Sequence, residues 1–266
     1  DIKGGLNYVV MNNSPIDIDK LIEGTNEILT ANRNSLQLFD MLHSMRQFDD
    51  LTYVHSVNVA LIASILGQWL KFSEKDIRIL TISGLLHDIG KIMIPNEILT
   101  KPGKLTVAEY NIMKQHVNFG YEKVKNQNID IRIKEACLLH HEKCDGTGYP
   151  FGLKSDHIPA VAKIIAIADV YDAMTSARVY RGALCPFEVI DTMYKDAFTK
   201  FEPEYILPFL KNVASSYINN DVRLSDGRIG KVVLINENAL SLPIVQCEDE
   251  FIDLSKTRGL TVSAIL

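Results

Sequence analysis

No apolar run in this sequence reaches the roughly 18 to 20 residues that cross a bilayer. The nearest candidate, Ile158 to Met174, is interrupted by Lys163, Asp169 and Asp172. A membrane span and a signal peptide are therefore not expected, and the first residue, Asp1, leaves an upstream sensory segment open. Cysteine is scarce. The four residues Cys137, Cys144, Cys185 and Cys247 lack C-x-x-C spacing, which speaks against a disulfide framework and fits reduced, structural thiols in a cytoplasm. Runs of lysine and arginine are missing, and the net charge is -5 with a pI near 5.8. That balance argues against a nucleic-acid polymer or a lipid surface as partner, so any anionic substrate must be attracted locally. Internal repeats and low-complexity segments are absent as well.

What is present is 266 residues with 47% hydrophobic content, enough for one large core, or one core with a small appendage. Helical spacing of Ile18, Leu21, Ile22, Ile28 and Leu29, then of Leu36, Leu38, Phe39, Leu42 and Met45, predicts two N-terminal helices over 1–50. A longer apolar helix follows over Tyr53 to Leu70, carrying His55. Ser73 with Asp76 reads as an N-cap opening the next helix. Thr106 and Glu109 form a capping box, so the stretch from Val107 through His116 reads as one helix ending near Gly120. Ile129 to His141 predicts another helix, "DGTGYPFG" a turn-rich loop, and Pro159 and Pro186 the first turns of two more. From Asp221 the pattern changes to short β-like runs, "VRL", "IGKVVLI", "PIVQC" and "FIDL". The fold class is thus mainly α, with an N-terminal helical segment over 1–50, a helical unit over 51–220 and a small β appendage over 221–266.

Of the seven histidines, five stand beside helix ends or acidic motifs: His55, His87, His116, His140 and His141. A lone buried histidine is usually a hydrogen-bonded core residue, and His43 and His157 are read that way. Five together with Asp88 and Asp169 are different, because each imidazole or carboxylate in an apolar interior costs several kcal/mol unless something compensates. Metal coordination does, and mixed imidazole and carboxylate ligation suits Zn, Fe or Mn. Neighbouring helical residues diverge by about 100°, so His87 and Asp88 converge only at a helix end or between two metals. Asp88, with two oxygens, is the natural bridge. His140 and His141 pose the same geometry at the entrance to the glycine loop.

The ordered motifs "HSVNVA", "GLLHDIGKIMIPNEILTKPGKLT", "MKQHVNFGYE", "LLHHEKCDGTGYP" and "IIAIADVYDAMTSARVYR" resemble the HD-GYP family. These are bacterial HD-type metal phosphohydrolases that act on the second messenger cyclic di-GMP. The match runs from Tyr53 to Phe201. The resemblance implies an HD-type helical bundle holding two divalent transition metals, iron or manganese. One would be bound by His55, His87, Asp88 and Asp169, the other by Asp88, His116, His140 and His141. A bridging hydroxide activated by the metals would attack phosphorus in line, giving pGpG and, where a second cut follows, GMP. Lys91 would act beside Asp88 as a further cation on a phosphate oxygen. Arg178 and Arg181 would grip substrate phosphates with their planar forks. Gly148, Tyr149 and Pro150 would wall the substrate pocket. Asp145 and Asp172 are expected to support the ligands from behind.

Two departures from the family pattern matter. Leu51 stands four residues before His55, where some members carry an acidic ligand for a third metal, so two metals are expected. "SARVYR" replaces "SDRPYR", so Ala177 and Val179 loosen the surroundings of Arg178. Alternatives left open are an HD-type hydrolase of another cyclic dinucleotide, a di-iron oxygenase, and a slow or inactive sensor that binds cyclic di-GMP. A homodimer through the N-terminal helices is a further expectation.

Overall fold

The computed structural model describes residues 51–176 and 183–266, with Ile16, Asp17, Asp19, Ile22, Glu23 and Thr25 ahead of them. The two helices expected over 1–50, with His43, lie largely outside the described residues, and so do Ala177, Arg178, Val179 and Arg181.

Helix α1, Leu51–Trp69, is buried almost all round from Ser56 to Gly67, as a helix apolar on every face must be. Ser73 caps helix α2, Glu74–Leu86, its hydroxyl accepting from Asp76 N–H at 3.2 Å. The short turn between them makes the two helices antiparallel neighbours, so the start of α1 meets the end of α2. At their contact a side chain on Gly84 would lie 2.4 Å from Ala60 Cα. Only glycine allows that approach, and it brings the rings of His55 and His87 to a centroid separation of 5.3 Å.

A 3-10 segment, Ile89–Met93, and a short helix α3, Asn96–Leu99, lead to the predicted capping box at Thr106 and Glu109. The single helix expected after it is two: α4, Val107–Met113, and α5, His116–Val124. The His116 ring makes the break. Its Nδ1–H donates to Met113 O at 2.8 Å, taking the carbonyl that a continuous helix would offer to Val117 N–H. Helix α6, Ile131–Leu139, starts on an Asp130 cap. Helix α7, Ala160–Thr175, follows Pro159, which stands just outside it rather than in its first turn. Helices α8, Pro186–Asp196, and α9, Pro203–Ser216, each open on proline. Among the described residues no helix is long and apolar enough to cross a membrane.

Residues 221–266 form a five-stranded antiparallel sheet of β1 (Asp221–Leu224), β2 (Ile229–Leu234), β3 (Ile244–Cys247), β4 (Glu250–Asp253) and β5 (Val262–Ile265), in the order β4-β3-β2-β1-β5. Strand β5 is an addition to the four runs expected. Val222 and Leu224 of β1 alternate inward and join Leu210 and Val213 of α9 in one hydrophobic core. Helices and sheet therefore share their interior. Tyr171 of α7 packs edge-on against Phe209 of α9 at 5.2 Å, which fixes the rotation of α7 and leaves Asp169 and Asp172 facing α1.

Candidate metal centre

Three of the five histidines sit where helices stop. Carbonyls in the last turn of a helix can accept from a side chain as well as from the backbone, and here imidazoles donate to them. His87 Nδ1–H donates to Gly84 O at 2.7 Å after α2, His116 Nδ1–H to Met113 O after α4, and His140 Nδ1–H to Ala136 O at 3.0 Å after α6. A carbonyl can only accept, so each ring is held with its proton on Nδ1 and the lone pair of Nε2 turned inward.

Those lone pairs converge on Asp88, which is 4% exposed. Its Oδ1 lies 3.3 Å from His116 Nε2 and 3.8 Å from His140 Nε2. Its Oδ2 lies 3.3 Å from His87 Nε2 and 3.6 Å from His55 Nε2, and also meets the Lys91 ammonium. Asp169 reaches the same groups from α7, with Oδ1 at 3.1 Å from His55 Nε2 and Oδ2 at 3.8 Å from His141 Nδ1. Two ligand groups result, His55 with His87 and Asp88, and Asp88 with His116, His140 and His141. All seven expected ligands are thus brought together, with Asp88 common to both groups. His87 Nε2 and Asp88 Oδ1 are buried and have no hydrogen-bond partner among the described residues. Orphaned buried atoms of this kind each cost about 1–3 kcal/mol, a cost that bound divalent metal would offset.

Charge at the site follows from burial. Desolvation holds His140 well below the ordinary imidazole range, lowers His116, and takes His141 down to about 3. These rings are neutral donors. For His55 burial acts in the same direction, but its hydrogen bonds to Asp169 and Asp172 prevail and raise it to about 9. Burial opposes ionisation of Asp88 too, yet Lys91 and His87 outweigh it and keep the carboxyl well below the usual carboxylate range. Asp169 is likewise held down, burial being overcome by His55 and His141. Neutral rings at His116, His140 and His141 beside ionised carboxylates suit a divalent cation, whereas His55 would have to release a proton on binding one.

Around this centre Asp172 lies one turn beyond Asp169. Its Oδ2 accepts from His55 Nδ1–H at 2.7 Å and its Oδ1 from Asn58 at 2.9 Å. Asp145 does not join it. That carboxylate is exposed and accepts from the backbone N–H and hydroxyl of Thr147 at 2.9 and 2.6 Å, a turn built within the loop, so it supports no ligand. A side chain on Gly148 would fall 2.4 Å from Lys143 N, and the room glycine leaves is filled by the chain's own backbone, not by a ligand. Tyr149 stacks on His141 with centroids 4.7 Å apart, and its bond to Pro150 is cis. His157 is an exposed partner of Asp156.

Sequence reasoning passed over Glu142, which is 4% exposed. Its carboxylate accepts from the backbone N–H groups of Phe151, Gly152 and Leu153 at 2.7, 3.1 and 2.9 Å and ties the glycine loop to the end of α6. A charged residue between two histidines and a turn reads as solvated, and no periodicity marks it. Asn58 did leave a signal, since it stands three residues after His55 on one helical face.

The HD domain family model matches residues 22–205. The chain is 36% identical over 203 residues to the cyclic di-GMP phosphodiesterase PA4108 of Pseudomonas aeruginosa, a match covering 76% of this chain and 49% of that protein. It is 36% identical over 197 residues to the cyclic di-GMP phosphodiesterase response regulator RpfG of Xanthomonas campestris, covering 73% and 52% respectively. The chain therefore spans about half the length of these curated relatives. Among solved structures, the HDG"Y"P protein Bd1817 from Bdellovibrio bacteriovorus is similar with a TM-score of 0.62 at 19% identity, over 78% of this chain and 67% of that one, a likeness of fold.

Proposed function

The chain belongs to the HD domain family, and from that premise we propose that it hydrolyses cyclic di-GMP to pGpG, with GMP as the product of any second cut. The observation that carries the reading is the division of Asp88, one oxygen toward His116 and His140 and the other toward His55 and His87. Relatives named cyclic di-GMP phosphodiesterase support the substrate.

His55, His87, Asp88 and Asp169 would hold one divalent transition metal, and Asp88, His116, His140 and His141 a second. Iron and manganese suit this mixture of imidazole and carboxylate. When bound, such a pair supplies Lewis-acid polarisation of a phosphoryl oxygen and a water of lowered pKa. Everything else falls to the chain. Carbonyl-held rings present their lone pairs without rearranging, so charge stabilisation is preorganised. Lys91 places a cation at the Asp88 edge of the centre, where a non-bridging phosphate oxygen would gain from it. Tyr149 covers one face of His141 and offers the other side of its ring to the substrate. Arg178 and Arg181 are assigned further contacts to substrate phosphate, for which a guanidinium fork is suited.

Metal analysis and a cyclic di-GMP turnover assay on anaerobically purified protein, beside His87→Ala and Asp88→Ala, test this. The expected outcome is about two transition-metal ions per wild-type chain and turnover reduced by at least about a thousandfold in both variants. Tight binding of an intact dinucleotide by the metal-loaded wild type would instead make the protein a sensor.

A further inference from the structure

Resting on that reading, we propose that Lys114 and Tyr110 form a second substrate subsite, which takes the half of the cyclic dinucleotide that is not being cleaved. Lys114 ends α4, two residues before His116. Its ammonium lies 5.2 Å from the Tyr110 ring centroid and 6.0 Å from that of Tyr149. Among the described residues it meets no carboxylate. Tyr110 is 48% exposed and stands edge-on to Tyr149 at 6.5 Å, while Tyr149 in turn stacks on His141. A cation and two aromatic rings thus form a continuous wall leading away from the candidate ligands.

Substrate chemistry matches that wall. A cyclic dinucleotide carries two phosphodiesters. Only one can sit at the centre where the lone pairs converge, and the other keeps its full negative charge. In a chain of net charge -5 that charge needs a local counter-ion. Lys91 is engaged by Asp88, whereas Lys114 meets, among the described residues, ring faces and no carboxylate, contacts a phosphate can share or displace. The half-exposed Tyr110 ring offers a purine a stacking surface beside that phosphate.

The test is steady-state cyclic di-GMP hydrolysis by the metal-loaded full chain. Lys114→Met is expected to raise KM about tenfold with kcat within about threefold of wild type, and to flatten the dependence of KM on salt. Lys114→Arg, which keeps the cation, stays within about threefold. Tyr110→Ala raises KM about fivefold and Tyr110→Phe leaves it unchanged. Metal content equals that of wild type throughout, and Lys104→Met, which removes an exposed lysine elsewhere, changes nothing. If wild type turns over cyclic di-GMP and Lys114→Met has the same KM and salt dependence, the subsite is overturned while the phosphodiesterase reading stands. If metal-loaded wild type neither binds nor cleaves cyclic di-GMP, the phosphodiesterase reading itself fails and takes the subsite with it.

Discussion

Asp172 accepts from His55 Nδ1–H at 2.7 Å and from Asn58 at 2.9 Å, so the His55 ring is oriented from behind with Nε2 directed at Asp88 and Asp169. Outer carboxylates of this kind fix ring orientation and raise donor strength. Asp172→Ala is therefore expected to weaken metal binding roughly 10- to 100-fold, read by equilibrium titration of the metal-free protein with Mn2+; an unchanged affinity would remove Asp172 from the site. That Asp172 and the seven candidate ligands gather in one place was legible in the sequence, partly because their residue types are expensive to bury and partly because the ordered motifs resemble those of a known family. Glu142 and Lys114 were not. Each looks like an ordinary surface charge until the fold brings three backbone N–H groups to one and two tyrosine rings to the other.

At the scale of elements, one buried carboxylate ties the second half of the glycine loop to the end of α6. Removing Glu142 leaves the N–H groups of Phe151, Gly152 and Leu153 without their acceptor, and hydrogen bonds to a charged group are worth about 1.5–3 kcal/mol each at most. Glu142→Ala should lose about 3 kcal/mol in chemical denaturation and speed amide exchange at those three positions, whereas Glu142→Gln, which keeps one acceptor oxygen, should lose less. Unaltered exchange at 151–153 would show that the loop is held by other means. Helix boundaries were readable wherever a side chain announces them, as Ser73 and Thr106 do. The break between α4 and α5 was not, since apolar spacing runs through it and a ring, His116, creates it. Strand β5 escaped notice because its pairing with β1 is a long-range choice that the short segment Val262–Ile265 does not signal by itself.

For the whole molecule, the site's histidines make metal-free stability a function of pH with two limbs. His116, His140 and His141 titrate lower in the folded chain than the unfolded value of 6.5. As pH falls through about 6.5 the unfolded chain therefore takes up protons that the folded one refuses, and stability drops. His55 is the reverse case. Its folded value of about 9 means that stability declines as pH rises from 6.5 toward 9. The metal-free Tm should peak near neutrality and fall on both sides, with His141→Ala flattening only the acid limb and His55→Ala only the alkaline one; parallel curves for wild type and both variants would contradict the assignment. The shared core has another bearing on the centre. Its ligands are spread along the chain from His55 to Asp169, and the last arrives on α7, whose rotation is set by Tyr171 against Phe209 of α9. During synthesis on the ribosome, a nascent chain that has emerged only as far as His141 carries six of the seven candidate ligands but not the helix that brings the seventh. Tight metal binding by all seven candidate ligands is therefore expected only once α9 is present to hold α7, and a chain truncated before α9 should bind Mn2+ more weakly in equilibrium titration than the full chain.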